Sequence, residues 1–172
     1  MKKLKHLKTS PGLLIISLIT ILLFSCTDFN DEVPIYKVQQ DMAPFVNNFF
    51  NEAEKRGIHL EKENLIVRTS DVTTGDALLP NDAAGYFIQI GNQRYVTIWT
   101  GAFYYYKDER KMPQAAERLI FHELGHAFGR VHCNNSGSIM CQCMPNEIYV
   151  GNDSLRSVLL NELIDKRLIN YN

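Results

Sequence analysis

Three histidines and a glutamate stand at a spacing that could hold a metal ion and use it: His122-Glu123-x-x-His126-x-x-Gly129-x-x-His132. Residues four apart on a helix share one face about a turn apart, so His122 and His126 can direct two imidazoles at one ion. Glu123 is offset from that pair and can aim at a water on the ion instead of at the ion. Two ligands fall short of the three protein ligands usual for catalytic zinc. Gly129 offers a remedy, because glycine accepts the left-handed conformation that ends a helix and turns the chain back. His132, three residues on, can then return to the same ion. Ordinary surface or core histidines would require neither the adjacent Glu123 nor the spaced Gly129 and His132.

The element that must position these groups is a helix over Pro113–Phe128, with proline in the first turn where its missing N–H costs nothing. A first helix is expected from about Met42 to Arg56, because Phe45, Val46, Phe49, Phe50 and Ala53 recur at helical spacing and Gly57 sits at a stop position. Leu65–Thr69 is a short β-prone run, and residues 70–84, with Gly75 and Pro80, read as a loop. Tyr86–Ile90 and Arg94–Trp99, joined through Gly91-Asn92, predict a β-hairpin. A last amphipathic helix is expected from Asp153 to about Leu168. Together these elements give an α+β (mixed α/β) domain.

The zinc-type run resembles the extended motif of the metzincin peptidases, which is followed by a Met-turn. The resemblance implies that Ser138-Ile139-Met140 is that turn, with Met140 as an apolar floor beneath the three histidines. It also implies a compact catalytic domain with a small twisted sheet, an active-site helix and a C-terminal helix. One catalytic Zn²⁺ held by His122, His126 and His132 would activate water. Glu123 would be the general base, and the substrate a peptide or protein. Metzincins bind substrate along an edge strand, and by this analogy Tyr95–Thr100 is the expected edge. Of Tyr104, Tyr105 and Tyr106, one could line a specificity pocket, although packing explains such clusters more often. Astacin-like members use a Tyr two residues after the Met as a further ligand; Gln142 stands there, so that role is not transferred.

His132-Cys133, with Met140 eight residues after the histidine, is similar to the archaemetzincin branch, which holds a second zinc with cysteines. Here Ser138 stands two before the methionine and no Cys follows Cys143, so a four-thiolate site cannot be assembled. Cys133 could instead pair with Cys141 or Cys143, and a fully reduced set stays open. Cys141 with Cys143 is the less favourable pair, since i,i+2 residues rarely reach disulfide geometry. Residues from about Asp41 to Met140 also resemble small bacterial metzincin-type lipoproteins, through Ala53–Gly57, Tyr95–Ile98 and Leu119–Phe121 leading into His122.

The N-terminus has its own pattern. Lys2, Lys3, Lys5 and Lys8 precede an apolar run, Leu13–Phe24, shorter than the about 20 residues a membrane span needs. It fits a secretion signal. Leu23-Phe24-Ser25-Cys26 resembles a bacterial lipobox, departing from it at Phe24, and implies that Cys26 is lipidated. The expected organisation is a signal over 1–25, a flexible tether over 26–40 and a peptidase domain over 41–172. The chain would then be exported and lipid-anchored in the cell envelope, on the outer membrane and with surface display open, and it is expected to be a monomer. A net charge of −1 and no basic run beyond the first eight residues argue against nucleic-acid binding. No inhibitory cysteine-bearing propeptide is visible. Two other functions fit the motif: a non-catalytic lipoprotein that keeps zinc for stability and binds a partner, and a zinc amidase acting on peptidoglycan.

Overall fold

Alternation of apolar and polar residues sets the strands. The computed structural model describes residues 33–71, 84–133, 138–141 and 153–165. Within them β1 spans Tyr36–Val38, β2 Leu65–Ser70, β3 Gly85–Ile90 and β4 Gln93–Trp99. The helices are α1 (Ala43–Lys55), α2 (Thr100–Tyr104), α3 (Pro113–Ala127) and α4 (Asp153–Leu163), and a π-helical turn, Tyr105–Glu109, follows α2. This is the mixed α+β class expected, with a four-stranded sheet in the order β1-β2-β4-β3.

β1, β2 and β4 run parallel, whereas β3 pairs antiparallel with β4. The β3–β4 hairpin turns at Gly91-Asn92, where Gly91 takes φ +58 and Ile90 faces Gln93. A positive φ at the first turn residue alone is the turn whose twist matches the flanking strands. The edge assignment made by analogy is corrected. β4, which contains most of Tyr95–Thr100, lies inside the sheet between β2 and β3, and among the described residues β1 and β3 are the edge strands. Burial explains why: Val96, Thr97 and Ile98 are all buried, so β4 is covered on both faces, while β3 is only half-buried.

The sheet also starts earlier than the sequence indicates. Tyr36–Val38 falls in the stretch expected as tether, yet it pairs with Leu65–Val67. Gln39 continues the contact, its backbone N–H donating to the Val67 carbonyl at 2.9 Å and its side-chain oxygen accepting from the Thr69 amide at 2.8 Å. A three-residue strand carries too little alternation to be seen in the sequence. The last helix ends at Leu163, short of Leu168, and Leu168 itself lies outside the described residues, as do the signal segment and Cys26. Among the described residues, no helix is long and apolar enough to cross a membrane.

The core is a set of aromatic rings between α1 and α3. Phe49 meets Phe121 edge-on at 5.2 Å and stacks on Phe128 at 5.8 Å, and Phe50 closes on Phe128 at 5.7 Å. Each fully buried ring contributes about 1.5–3 kcal/mol by leaving water, and each such pair about 0.5–1.5 more. These contacts fix the rotation of α3 and therefore the direction of its histidines. On the far side of Phe128, the wholly buried Arg94 places its guanidinium 4.3 Å from the ring and donates to the carbonyls of Glu61 and Glu63. α4 is tied across the same helices: Glu117 of α3 accepts from Asn48 of α1 and Arg156 of α4.

Candidate metal centre

α3 ends as its sequence dictates. Gly129 adopts φ +88, its N–H donating to the His126 carbonyl at 3.0 Å, and the Arg130 N–H reaches back to Gly125 at 2.8 Å. This pair of bonds is the Schellman motif, which satisfies carbonyls left open at a helix end. The reversal brings His132 back over α3. The Nε2 atoms of His122, His126 and His132 then lie 2.9, 3.1 and 3.2 Å from one another. Among the described residues, these three form the one group that could hold a metal ion.

Their protonation shows what can sit between them. His122 Nδ1 lies 2.7 Å from the Ile139 carbonyl, and His126 Nδ1 lies 2.8 Å from the Arg130 carbonyl. A carbonyl only accepts, so each Nδ1 carries the ring proton and each Nε2 presents a lone pair. Two lone pairs therefore face each other across 3.2 Å. A single proton on His132 could relieve one contact with its neighbours, but not this one.

Protonating the pair is disfavoured as well. Burial pulls His122 down to about 4, helped by charge on His126, His132 and Arg118 and opposed by the Ile139 hydrogen bond. His126 is lowered by burial and then by His132, against the Arg130 carbonyl. Two neutral imidazoles with converging lone pairs, and the His132 Nε2 meeting both, suit a small cation. A tetrahedral ion with bonds of about 2.0–2.1 Å would space its ligands about 3.3 Å apart, close to the distances found. The donor set fits a metal.

The two oriented histidines owe their tautomers to backbone carbonyls, which no reading of side chains reveals. Ile139 belongs to the expected Met-turn, whose described part, Ser138–Cys141, is buried. Its Cys141 N–H closes on the Ser138 carbonyl at 3.0 Å. Arg118 of α3 donates to the Cys141 carbonyl, and the Cys133 N–H donates to that of Met140. The turn is thus held to the helix on one side and to the segment bearing His132 on the other. Met140 packs on α3 at Gly125, the residue before His126; a Cβ there would fall 2.6 Å from the Met140 sulfur.

Arg130, a second contribution missed by motif reading, donates to Asp165 and to the Glu162 carbonyl, linking the turn after α3 to the end of α4. The cysteine expectation is corrected in part. Cys141 is disulfide-bonded, which overturns the fully reduced set, and Cys133 is in no disulfide, which overturns its pairing with Cys141 or Cys143. The partner of Cys141 lies outside the described residues, as do Cys143 and Gln142.

Glu123, which follows His122 in the chain, has its side chain buried, and burial alone pushes its carboxyl up to about 8. It packs under the start of the edge strand: a Cβ at Gly85 would meet Glu123 Cγ at 3.0 Å, Ile98 Cδ1 at 2.9 Å and the Thr97 carbonyl at 3.1 Å. Only a residue without a side chain lets β3 approach the glutamate this closely. In contrast, His132 is exposed, so the cluster opens to solvent on that side. No protein-family model matches the chain, and neither does any curated protein or solved structure. What the centre does therefore follows from its own residues. They form a three-histidine group that could hold a metal ion, and the residue after His122 carries a buried carboxyl.

Proposed function

We propose that this chain is a zinc-dependent endopeptidase of the metzincin kind, with His122, His126 and His132 holding one Zn²⁺ and Glu123 as general base. The observation that carries this reading is the convergence of three Nε2 atoms, with a buried carboxyl on the residue that follows His122. A purely structural site would have no use for that carboxyl. Imidazole ligands suit zinc, and three of them with a solvent-facing side match catalytic rather than closed structural sites. A bound zinc would supply Lewis acidity and make water reactive near neutral pH.

The chain's own groups would do the rest. Glu123 would take a proton from water at a carboxylate oxygen as the water oxygen bonds to the peptide carbonyl carbon, and deliver it to the amide nitrogen as the C–N bond breaks. Burial works against the ionised form, and the nearby cation would work for it. Substrate would be held by β3. Ala84 accepts from the Trp99 N–H at 2.9 Å, so by antiparallel alternation Gly85, Phe87 and Gln89 turn their backbone groups to the outer edge. An extended peptide added there as another strand would pass Glu123 at Gly85.

The decisive comparison is wild type against Glu123→Ala, measured for bound zinc and for cleavage of a broad peptide library. Zinc kept and cleavage lost is the expected result. Equal, negligible cleavage by both would sink the peptidase in favour of a metal-stabilised binding protein, and release of fragments from peptidoglycan alone would assign an amidase. Anchoring is a separate proposal: Cys26 would be the lipidated first residue of the mature chain. Mass spectrometry of the mature N-terminus tests it, and an unmodified Cys26 or cleavage elsewhere refutes it.

A further inference from the structure

Beside the start of β3 a cavity of about 340 Å³ opens, bounded by Ala84, Trp99, Gly101, Tyr105, Tyr106 and Glu109. That is a volume at the small end of ligand-sized pockets. Three of its walls are aromatic rings, and one carries a carboxylate. The rings are presented, not tucked away: Trp99 is 43% and Tyr105 41% exposed.

They are nevertheless fixed in place. The Trp99 indole lies back on Gly101, where a Cβ would fall 2.8 Å from its Cζ2 and 2.9 Å from its Cε2. Tyr105 and Tyr106 brace each other edge to face at 5.3 Å. Both tyrosines and Glu109 belong to the π-helical turn Tyr105–Glu109, an irregular backbone that is frequent at functional sites.

Ring faces carry negative charge density and attract cations, more strongly with a carboxylate close by. The Tyr105 face already meets one: the Arg110 guanidinium lies 5.9 Å from its centre. A neutral apolar occupant would be served by the rings, but it would strip water from Glu109 and return nothing. A basic side chain satisfies both, with its stem on the rings and its charge at the carboxylate. We propose that this cavity binds a lysine or arginine side chain. Its wall residue Ala84 precedes Gly85, which touches Glu123, so the side chain it takes would lie within about one or two residues of the bond under attack. Assigning that side chain to a substrate rests on the peptidase reading; the cavity's preference for a cation does not.

Trp99 is the only tryptophan in the chain, so its fluorescence reports on the cavity directly. The first experiment titrates the full-length protein with blocked lysine amide and blocked arginine amide, and with their neutral isosteres norleucine amide and citrulline amide. A saturable change with the basic pair, at least about 5-fold tighter than with the neutral pair, is expected, and Glu109→Gln should erase that difference. Equal binding of all four, or no saturable change, overturns the proposal. So does a Glu109→Gln protein that folds, by circular dichroism, and keeps the difference. The second experiment sequences the products of a peptide library. Cleavage without enrichment of Lys or Arg at any position beside the cut overturns the substrate assignment and leaves the peptidase standing. Basic-selective Trp99 binding with no cleavage supports the cavity and sinks the peptidase.

Discussion

The Met140 sulfur occupies the space in which a side chain at Gly125 would begin, 2.6 Å from the position of its Cβ. Gly125 therefore matters for what it lacks, although the metal-binding pattern leaves its position undefined. Leu163 of α4 closes the same space, with Cδ1 2.9 Å from that Cβ. An alanine would gain about 1 kcal/mol in helix propensity and lose about 1–3 kcal/mol or more to overpacking in a site with no room.

Gly125→Ala should accordingly lower stability by about 1–2 kcal/mol and weaken metal retention, because the Met-turn that orients His122 must shift. Denaturant unfolding and metal analysis of the same preparations would measure both. Met140→Ala makes the necessary room, so the double variant should lose less than the sum of the single losses. Strict additivity would show that the two residues do not share the space.

Gly85→Ala tests the approach of β3 to Glu123. The new methyl would meet the Thr97 carbonyl, which is backbone and cannot swing aside, as well as Glu123 Cγ. Cleavage should fall by about 10-fold or more, since a general base displaced by an ångström works poorly. Metal content should hold, because the three histidines are not touched. Loss of metal in parallel with activity would contradict this division.

In the metal-free fold acid acts through two opposed groups: His122 draws stability away as pH falls, while Glu123, its carboxyl raised to about 8, binds a proton more readily when folded and adds stability between about 8 and 4.5. His122 titrates near 4 when folded, against 6.5 ordinarily, so between those values the unfolded chain binds the proton more readily. The His122 contribution is then fully present above about 6.5 and falls as pH drops towards about 4, by about 3 kcal/mol at most. The lowered His126 acts in the same direction. Denaturant unfolding of chelator-treated protein from pH 7 to pH 4 measures the slope. His122→Gln, which takes up no proton, should lose less stability in acid than the wild type, and equal slopes for the two would contradict the His122 contribution.

Arg130 should matter to stability more than to chemistry. Its side chain is buried, while Asp165 is about one third exposed, so Arg130→Ala should cost about 1–3 kcal/mol. The Arg130 carbonyl that orients His126 stays in the variant. A drop in melting temperature with metal affinity changed less than about 5-fold is the expected pattern.

The chemistry was legible in the sequence because it is local. His122, Glu123, His126, Gly129 and His132 fall within one helix and the turn after it, and helical geometry with one positive φ is enough to bring the histidines together. The Gly91-Asn92 hairpin and α1 were readable for the same reason. What was hidden is what the chain does between distant segments. The order of the strands depends on β3 folding outside β4, and nothing in the β3 pattern declares an outer edge. The carbonyls of Ile139 and Arg130 carry no side-chain signature, and every residue has one. Gly85 and Gly125 act by absence, which shows only once a neighbour is seen to need the space. The π-helical turn, with Glu109 beside Tyr105 and Tyr106, looks like an unremarkable tyrosine run until the backbone is known.

The carbonyls of Ile139 and Arg130 also bear on timing. They set two of the three imidazoles through hydrogen bonds that form as the polypeptide folds, so little rearrangement is needed when an ion arrives. In small zinc-finger domains, by contrast, folding and loading are one event. Here the two steps separate. Uptake of a metal ion by these histidines would then be limited by the supply of metal rather than by the speed of folding.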